Sequence, residues 1–349
     1  MRRLSCLVVS LLLLGLLFAP SPVRAQQGLD DLSDLRNALG TVSEGYADNY
    51  VQPITNTFGA GTNSALFRSA DVGNSLIPGF PLNVYVGVSV PGTFTSSMDD
   101  RFQPFGGGQE TFTSDGREFV VTYEGSGIDG SGRVPTVLGE TDPPGGDLVV
   151  RDAQTGTEVV SAPAPQGLID TPIAPLVIPQ VGVGSVVGTD VQVRYFPKSE
   201  LSLAGNSYGQ VGVFGLAVRH DLDQWIPAPV PFNVAVQGAW NQFSLENDLG
   251  PDDTQEVLDA SGWALNLQAS KGLPLAPITF YGGLQYETFD VDYNYTLQNV
   301  GDISLSQTAA NNFRGLVGVT FTAAVVRINV DYAAGNEQNV LTAGFGVRL

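Results

Sequence analysis

The chain has 349 residues, with 16 Lys+Arg against 35 Asp+Glu and a formal net charge of −19. That balance argues against a nucleic-acid partner, because phosphate contacts are made with cations. One cysteine (Cys6) and one histidine (His220) leave no ligand set for zinc and no disulfide, so no cofactor is expected.

Residues 1–25 have the form of an export signal. Arg2 and Arg3 precede an apolar run from Leu4 to Ala19, and Val23-Arg24-Ala25 is a small-x-small cleavage site. Removing its three arginines takes the charge from −19 to about −22. The run is short of the ~20 residues a membrane helix needs, and no later stretch is apolar enough to span as a helix. An embedded chain must then close a barrel, since lipid offers no partner to free backbone groups.

Residues 26–80 read as an N-terminal helix and an irregular, plug-like segment. Leu29, Leu32, Leu35, Leu39, Val42, Tyr46 and Tyr50 recur at helical spacing over 29–52, and Pro53 is expected to end the helix. The opposite face is acidic, with Asp30, Asp31, Asp34, Glu44 and Asp48. Residues 56–80 are rich in Gly, Asn and Ser.

Residues 81–349 read as the barrel. Leu82, Val84, Val86 and Val88 share one parity of the first strand. Residues 91–175 are dominated by loop punctuation such as Gly106-Gly107-Gly108 and Pro143-Pro144-Gly145-Gly146. Within them, 118–124, 148–152 and 157–161 look like strands, the last two joined by a Gln154-Thr155-Gly156 turn. Nine further strands are predicted at 178–184, 189–197, 208–220, 230–244, 257–270, 277–291, 312–322, 325–334 and 339–349. With the C-terminus in the periplasm, the linkers at 185–188, 221–229, 272–276 and 323–324 fall inside. Those at 198–207, 245–256, 292–311 and 335–338 fall outside. Mostly short inner turns and longer outer loops are the habit of bacterial barrels. The expected fold is an all-β transmembrane antiparallel barrel of about 12–14 strands with an N-terminal helix. The predicted strands total thirteen, one short of or beyond the even number such barrels have.

Parity sends Val191, Val193, Tyr195, Phe214, Leu216, Trp240, Trp263, Leu265, Leu267, Phe280 and Leu284 toward lipid. It sends Arg194, Arg219, Glu287, Arg314, Arg327 and Asp331 into the lumen among Asn and Gln. Four lumen arginines in an acidic chain suggest that the acidic helix face docks on them as a plug; ordinary polar filling is the plainer alternative. His220 falls on the outer parity at the inner end of its strand and reads as an interfacial polar residue rather than a catalytic base. Gly182-Val183-Gly184 precedes a strand, not a helix, and is no nucleotide fingerprint. The acids from Glu246 to Glu256, and Asp290 and Asp292, lack calcium-loop spacing and read as solvated loops.

The helix, the Phe58-Gly59-Ala60-Gly61-Thr62-Asn63-Ser64 stretch and the barrel together are distantly similar to the long-chain fatty-acid outer-membrane transporters. The stretches Gly188-Thr189-Asp190-Val191-Gln192-Val193-Arg194-Tyr195 and Gly215-Leu216-Ala217-Val218-Arg219-His220-Asp221 more closely resemble an uncharacterised, domain-of-unknown-function family of exported bacterial proteins. That resemblance implies an outer-membrane barrel without assigning an activity. No Asn-Pro-Ala hatch signature is present, and Leu349 stands where barrels usually end on an aromatic. The expected function is passive transport of small, hydrophobic molecules through a lumen partly closed by the N-terminal segment, with outer-membrane lipid as surroundings. The alternative is a non-transporting structural or surface-interaction barrel whose partners meet the loops at 91–175 and 292–311. A soluble exported β-sandwich is a third architecture, and an outer-membrane enzyme ranks last.

Overall fold

The computed structural model describes residues 32–72, 82–95, 100–105, 108–114, 116–125, 128–129, 132–140, 146–163, 167, 172–203, 206–227, 231–248, 254–297 and 301–349. The predicted signal, Asp30 and Asp31 lie outside them. The chain forms two compact units. One draws on residues up to 54, 95–171 and 294–305; the other on 55–94, 172–293 and 306–349.

The second unit is a closed antiparallel barrel of ten strands. They are β1 (Asn83–Phe94), β2 (Ile178–Val186), β3 (Thr189–Leu203), β4 (Asn206–Asp221), β5 (Asn233–Asp248), β6 (Thr254–Gly272), β7 (Ile278–Leu297), β8 (Phe313–Ala323), β9 (Val326–Gly335) and β10 (Asn339–Arg348). Each pairs with the next, and β10 returns to β1 in register from Tyr85 opposite Arg348 to Thr93 opposite Val340. Closure leaves no strand edge within the ring. The C-terminus is stitched in, with mutual backbone bonds between Val84 and Leu349. A short strand, Gly301–Thr308, flanks β7, and Ile173–Pro175 flanks β1.

Ten strands replace the expected twelve to fourteen. The three surplus segments belong to the other unit, where Gln109–Ser114, Arg117–Gly125, Gly146–Asp152 and Glu158–Pro163 make a separate four-stranded sheet. An even count follows, as antiparallel closure of a meander demands. The predicted outer linkers at 198–207 and 292–311 are also largely strand, because β3, β4 and β7 extend well past their apolar stretches.

The four-stranded sheet buries Phe119, Val121, Leu148, Val149 and Val150. Its Asp152 turn is tightly organised. Asp152 Oδ1 accepts from the Gln154 and Thr155 amides at 3.0 and 2.8 Å, and Oδ2 accepts from Arg117 at 2.5 Å. These donors hold the carboxyl down, at about 2. In the same unit Tyr46 packs edge-on to Phe102, with ring centres 5.0 Å apart.

Helix α1 spans Leu32–Thr62, so Pro53 does not end it. Proline removes one backbone bond and crowds the preceding turn. Here the turns beyond it are almost wholly buried, and Thr55 Oγ1 lies 2.7 Å from the Tyr293 hydroxyl. Tertiary burial outweighs the local penalty. Among the described residues no helix is long and apolar enough to cross a membrane.

Candidate functional site

The barrel interior is the site, and the chain itself fills it. Strand alternation turns one parity inward, where Gln192, Arg194, Gln237, Asn241, Asn266, Gln285 and Arg314 are all at most 3% exposed. The end of α1 and the segment to Val72 run through this polar space. Gly59 and Gly61 let the helix approach the wall. A Cβ at Gly59 would lie 3.0 Å from the Ala309 methyl and from the Phe289 ring.

The first layer caps the helix. The last turn of an α-helix has carbonyls without helical partners and carries the negative end of its dipole. Arg314 Nη1 donates to the Ala60 carbonyl at 2.9 Å and to Ser64 Oγ at 2.6 Å. Arg194 donates to the Thr62 and Ser64 carbonyls at 2.7 and 2.8 Å, and to Asn241 Oδ1 at 2.8 Å. Asn63 is held on three sides. Its Nδ2 donates to the Thr288 carbonyl, its Oδ1 accepts from Asn241, and its carbonyl accepts from Gln285, each at 3.0 Å. Glu287 pairs with Arg314 and accepts from Gln285, and from Asn311 Nδ2 at 2.6 Å.

A second, apolar layer follows. Ala65 turns the chain through a left-handed conformation, φ 63°. Leu66 and Phe67 then cluster with Ala217, Ala239, Ala264, Tyr281, Leu316, Ala333 and Val340. Ala217, Ala239 and Ala264 lie directly opposite one another on β4, β5 and β6, so their small side chains make one shallow bed for larger ones. Tyr281 donates to Asp331 Oδ2 at 2.9 Å.

The third layer is again polar. Arg219 donates to the Ser69 carbonyl and pairs with Asp190 through two nitrogens. Thr320 Oγ1 donates to the Arg68 carbonyl at 2.6 Å, and the Ala70 amide to Ser270 Oγ at 2.9 Å. Asn83 and Arg348 both donate to the Val72 carbonyl, at 2.7 and 2.5 Å. The Arg68 guanidinium sits 3.8 Å above the Tyr85 ring.

The structure therefore places Arg194, Arg219, Glu287, Arg314 and Asp331 buried inside the barrel, and Arg327 half-buried on the same parity. The acidic face 30–48, expected to dock on these arginines, lies largely outside the described residues, and the partners the structure gives the arginines are others. Arg194, Arg219 and Arg314 are committed to carbonyls of residues 60–69, with Asp190 and Glu287 as ion-pair partners. Asp34 and Glu44 lie in α1 with their side chains outside the described residues, and Asp48 is half-buried on that helix. Sequence reasoning missed Arg68 and Arg348. Arg348 was legible from the parity of the last strand, whereas Arg68 lies in a segment without periodicity. His220 is half-buried at the end of β4. Trp225 Nε1 donates to its Nε2 at 2.9 Å, so its Nδ1 carries the proton toward Thr189 Oγ1 at 2.8 Å.

Among solved structures, the chain is similar to the translocator domain of the autotransporter NalP from Neisseria meningitidis, at 12% identity and TM-score 0.28, over 77% of this chain and 88% of that one. It is similar to the β domain of the Bordetella autotransporter BrkA, at 10% identity and TM-score 0.32, over 77% and 99%. It is also similar to the N-terminal barrel of Pseudomonas aeruginosa OprF, at 10% identity and TM-score 0.24, over 46% and 98%. No curated protein matches. The distant likeness to fatty-acid transporters gains no support from these matches. Along residues 1–349 the chain matches the family of unknown function DUF6588, and it belongs to that family.

Proposed function

We propose that this protein is an outer-membrane barrel sealed by its own residues 59–72, and that it works as a non-transporting anchor for a partner-binding unit rather than as an open pore. The observation that carries the reading is the three-layer filling of the lumen. Opening a path would strip partners from the buried groups of Arg194, Arg219 and Arg314 together, and each unsatisfied buried group costs about 1–3 kcal/mol.

The exterior supports the membrane part. Val191, Leu216, Val218, Leu265, Leu267, Phe280, Leu284 and Val317 are 43–68% exposed, a surface that suits lipid and not water. An exposed aromatic row crosses it. Tyr195 faces Phe214, Trp240 faces Trp263, and Tyr286 faces Phe313. The row steps from Gln242, the partner of Phe214, down to Trp240, and from Thr288, the partner of Trp263, down to Tyr286. Such steps follow the stagger of tilted strands, so the aromatics stay at one level, as a girdle does. The partner-binding role goes to the unit built from 95–171 and 294–305, whose four-stranded sheet hangs on the connection between β1 and β2.

Planar-bilayer recordings test it. The full chain is expected to insert with heat-modifiable gel mobility and no steady conductance, whereas a form lacking residues 26–72 conducts. Steady conductance by the full chain, or uptake of a small hydrophobic solute into proteoliposomes, overturns the sealed reading in favour of passive transport.

A further inference from the structure

We propose that the lumen mouth at the end carrying the C-terminus binds a small oxyanion, a carboxylate or a phosphate group, between Arg327 and Arg348. Four arginines line this end: Arg68 lies on Tyr85, which faces Arg348, Arg327 faces Gly346 beside Arg348, and Arg219 holds the Ser69 carbonyl one residue before Arg68. The acids are Asp190, paired with Arg219, and Asp71, next to the Val72 carbonyl that Arg348 holds. Among the described residues only Arg219 of the four is ion-paired, and its partner Asp190 is thereby spent. Arg68 lies on the Tyr85 ring. The Arg348 guanidinium gives one bond, to the Val72 carbonyl. The Arg327 side chain makes no hydrogen bond or ion pair with any described residue, although it sits half-buried on the lumen parity of β9 with its neighbours Asn329 and Asp331 fully buried.

The register brings the half-buried Arg327 and the buried Arg348 together. Arg327 pairs with Gly346, and Arg348 is two positions further on the same face of β10. Diagonal neighbours of this kind have Cα atoms about 7–8 Å apart, within reach for two guanidinium groups to converge on one anion. Gly346 and Gly87 between them carry no side chain, and the Tyr85 phenol lies over both, flooring the site. The residues that link Val72 to β1, 73–81, contain no acid that could neutralise the pair. Leu349 bonds through its backbone to Val84. A partly desolvated pair of forked cations with one carboxylate, Asp71, to share is a receptor for a planar or tetrahedral oxyanion, not for a cation.

The test uses the full chain, in detergent and in nanodiscs. Inorganic phosphate titrated by calorimetry at low salt is expected to bind saturably, to weaken with ionic strength, and to weaken about tenfold in Arg327→Gln. Asp71→Asn is expected to tighten binding several-fold by removing a competing charge. Heat-modifiable mobility establishes that each variant is folded. Phosphate binding in phosphatidylcholine nanodiscs assigns the site to a free anion. Co-purification of phosphatidylglycerol that is lost in Arg327→Gln assigns it to a lipid headgroup. If neither occurs, or if folded Arg327→Gln binds as the parent does, the proposal is overturned.

Discussion

Arg314 reaches the Ala60 carbonyl at 2.9 Å, so a cation on the barrel wall caps the last turn of α1. Arg194 does the same for Thr62 at 2.7 Å. The seal thus depends on a helix terminus meeting side chains from β3 and β8. It is a local arrangement that single substitutions can dissect.

Arg314→Met should be the more damaging of the two caps. It leaves Glu287 buried without its cation, a change that costs about 3–5 kcal/mol. Arg194→Met breaks no ion pair and should cost about 1–3 kcal/mol for the carbonyls left without donors. Urea unfolding followed by gel mobility ranks them. Equal midpoints would show that the ion pair adds nothing to the cap.

Gly59→Leu should open the seal without unfolding the wall. Its side chain has to enter space held by Ala309 and Phe289, 3.0 Å from the Cβ position. Overpacking of this kind costs about 1–3 kcal/mol, borne by the helix because the barrel is closed by its own ladder. Protease access to residues 55–72 and bilayer conductance should both rise. A variant as protected and as silent as the parent would refute this.

Leu265→Arg addresses the outer surface. Leu265 is 51% exposed on β6, two residues beyond Trp263. An arginine facing lipid near the midplane costs about 2–4 kcal/mol, falling toward zero near the interfaces. Folding yield into vesicles should drop. Full yield in vesicles would place Leu265 outside the bilayer.

Acid should loosen the Asp152 turn. Its folded carboxyl is held at about 2, below the ~3.9 of a free aspartate, so the turn's extra stability is fully present above pH ~4. It is lost as pH falls from there through about 2, when protonation removes the acceptor of the Gln154 and Thr155 amides. Amide shifts of these two residues should titrate with that midpoint, and Asp152→Asn should abolish the transition. A midpoint near 4 would show that the turn does not hold the carboxylate.

The alternation of residues 178–349 determined by itself which side chains face out and which face in. Side-chain direction in a strand follows from position parity alone, and so Val191, Leu216 and Trp240 were assignable outward, and Arg194, Gln237 and Arg314 inward, without coordinates. The same local rule could not say which sheet a strand joins. Arg117–Gly125 and Gly146–Asp152 alternate like barrel strands yet pair only within their own sheet, so the strand number was settled by closure. Pro53 marked a local penalty but not the burial that outweighs it. The partner of the lumen arginines was hidden for a different reason. Opposite charges, such as the acids at 34–48, are visible as residue types. The carbonyls of Ala60, Thr62, Ser64, Ser69 and Val72 belong to the backbone of every residue, and only the path of the chain through the barrel exposes these particular ones to Arg314, Arg194, Arg219 and Arg348.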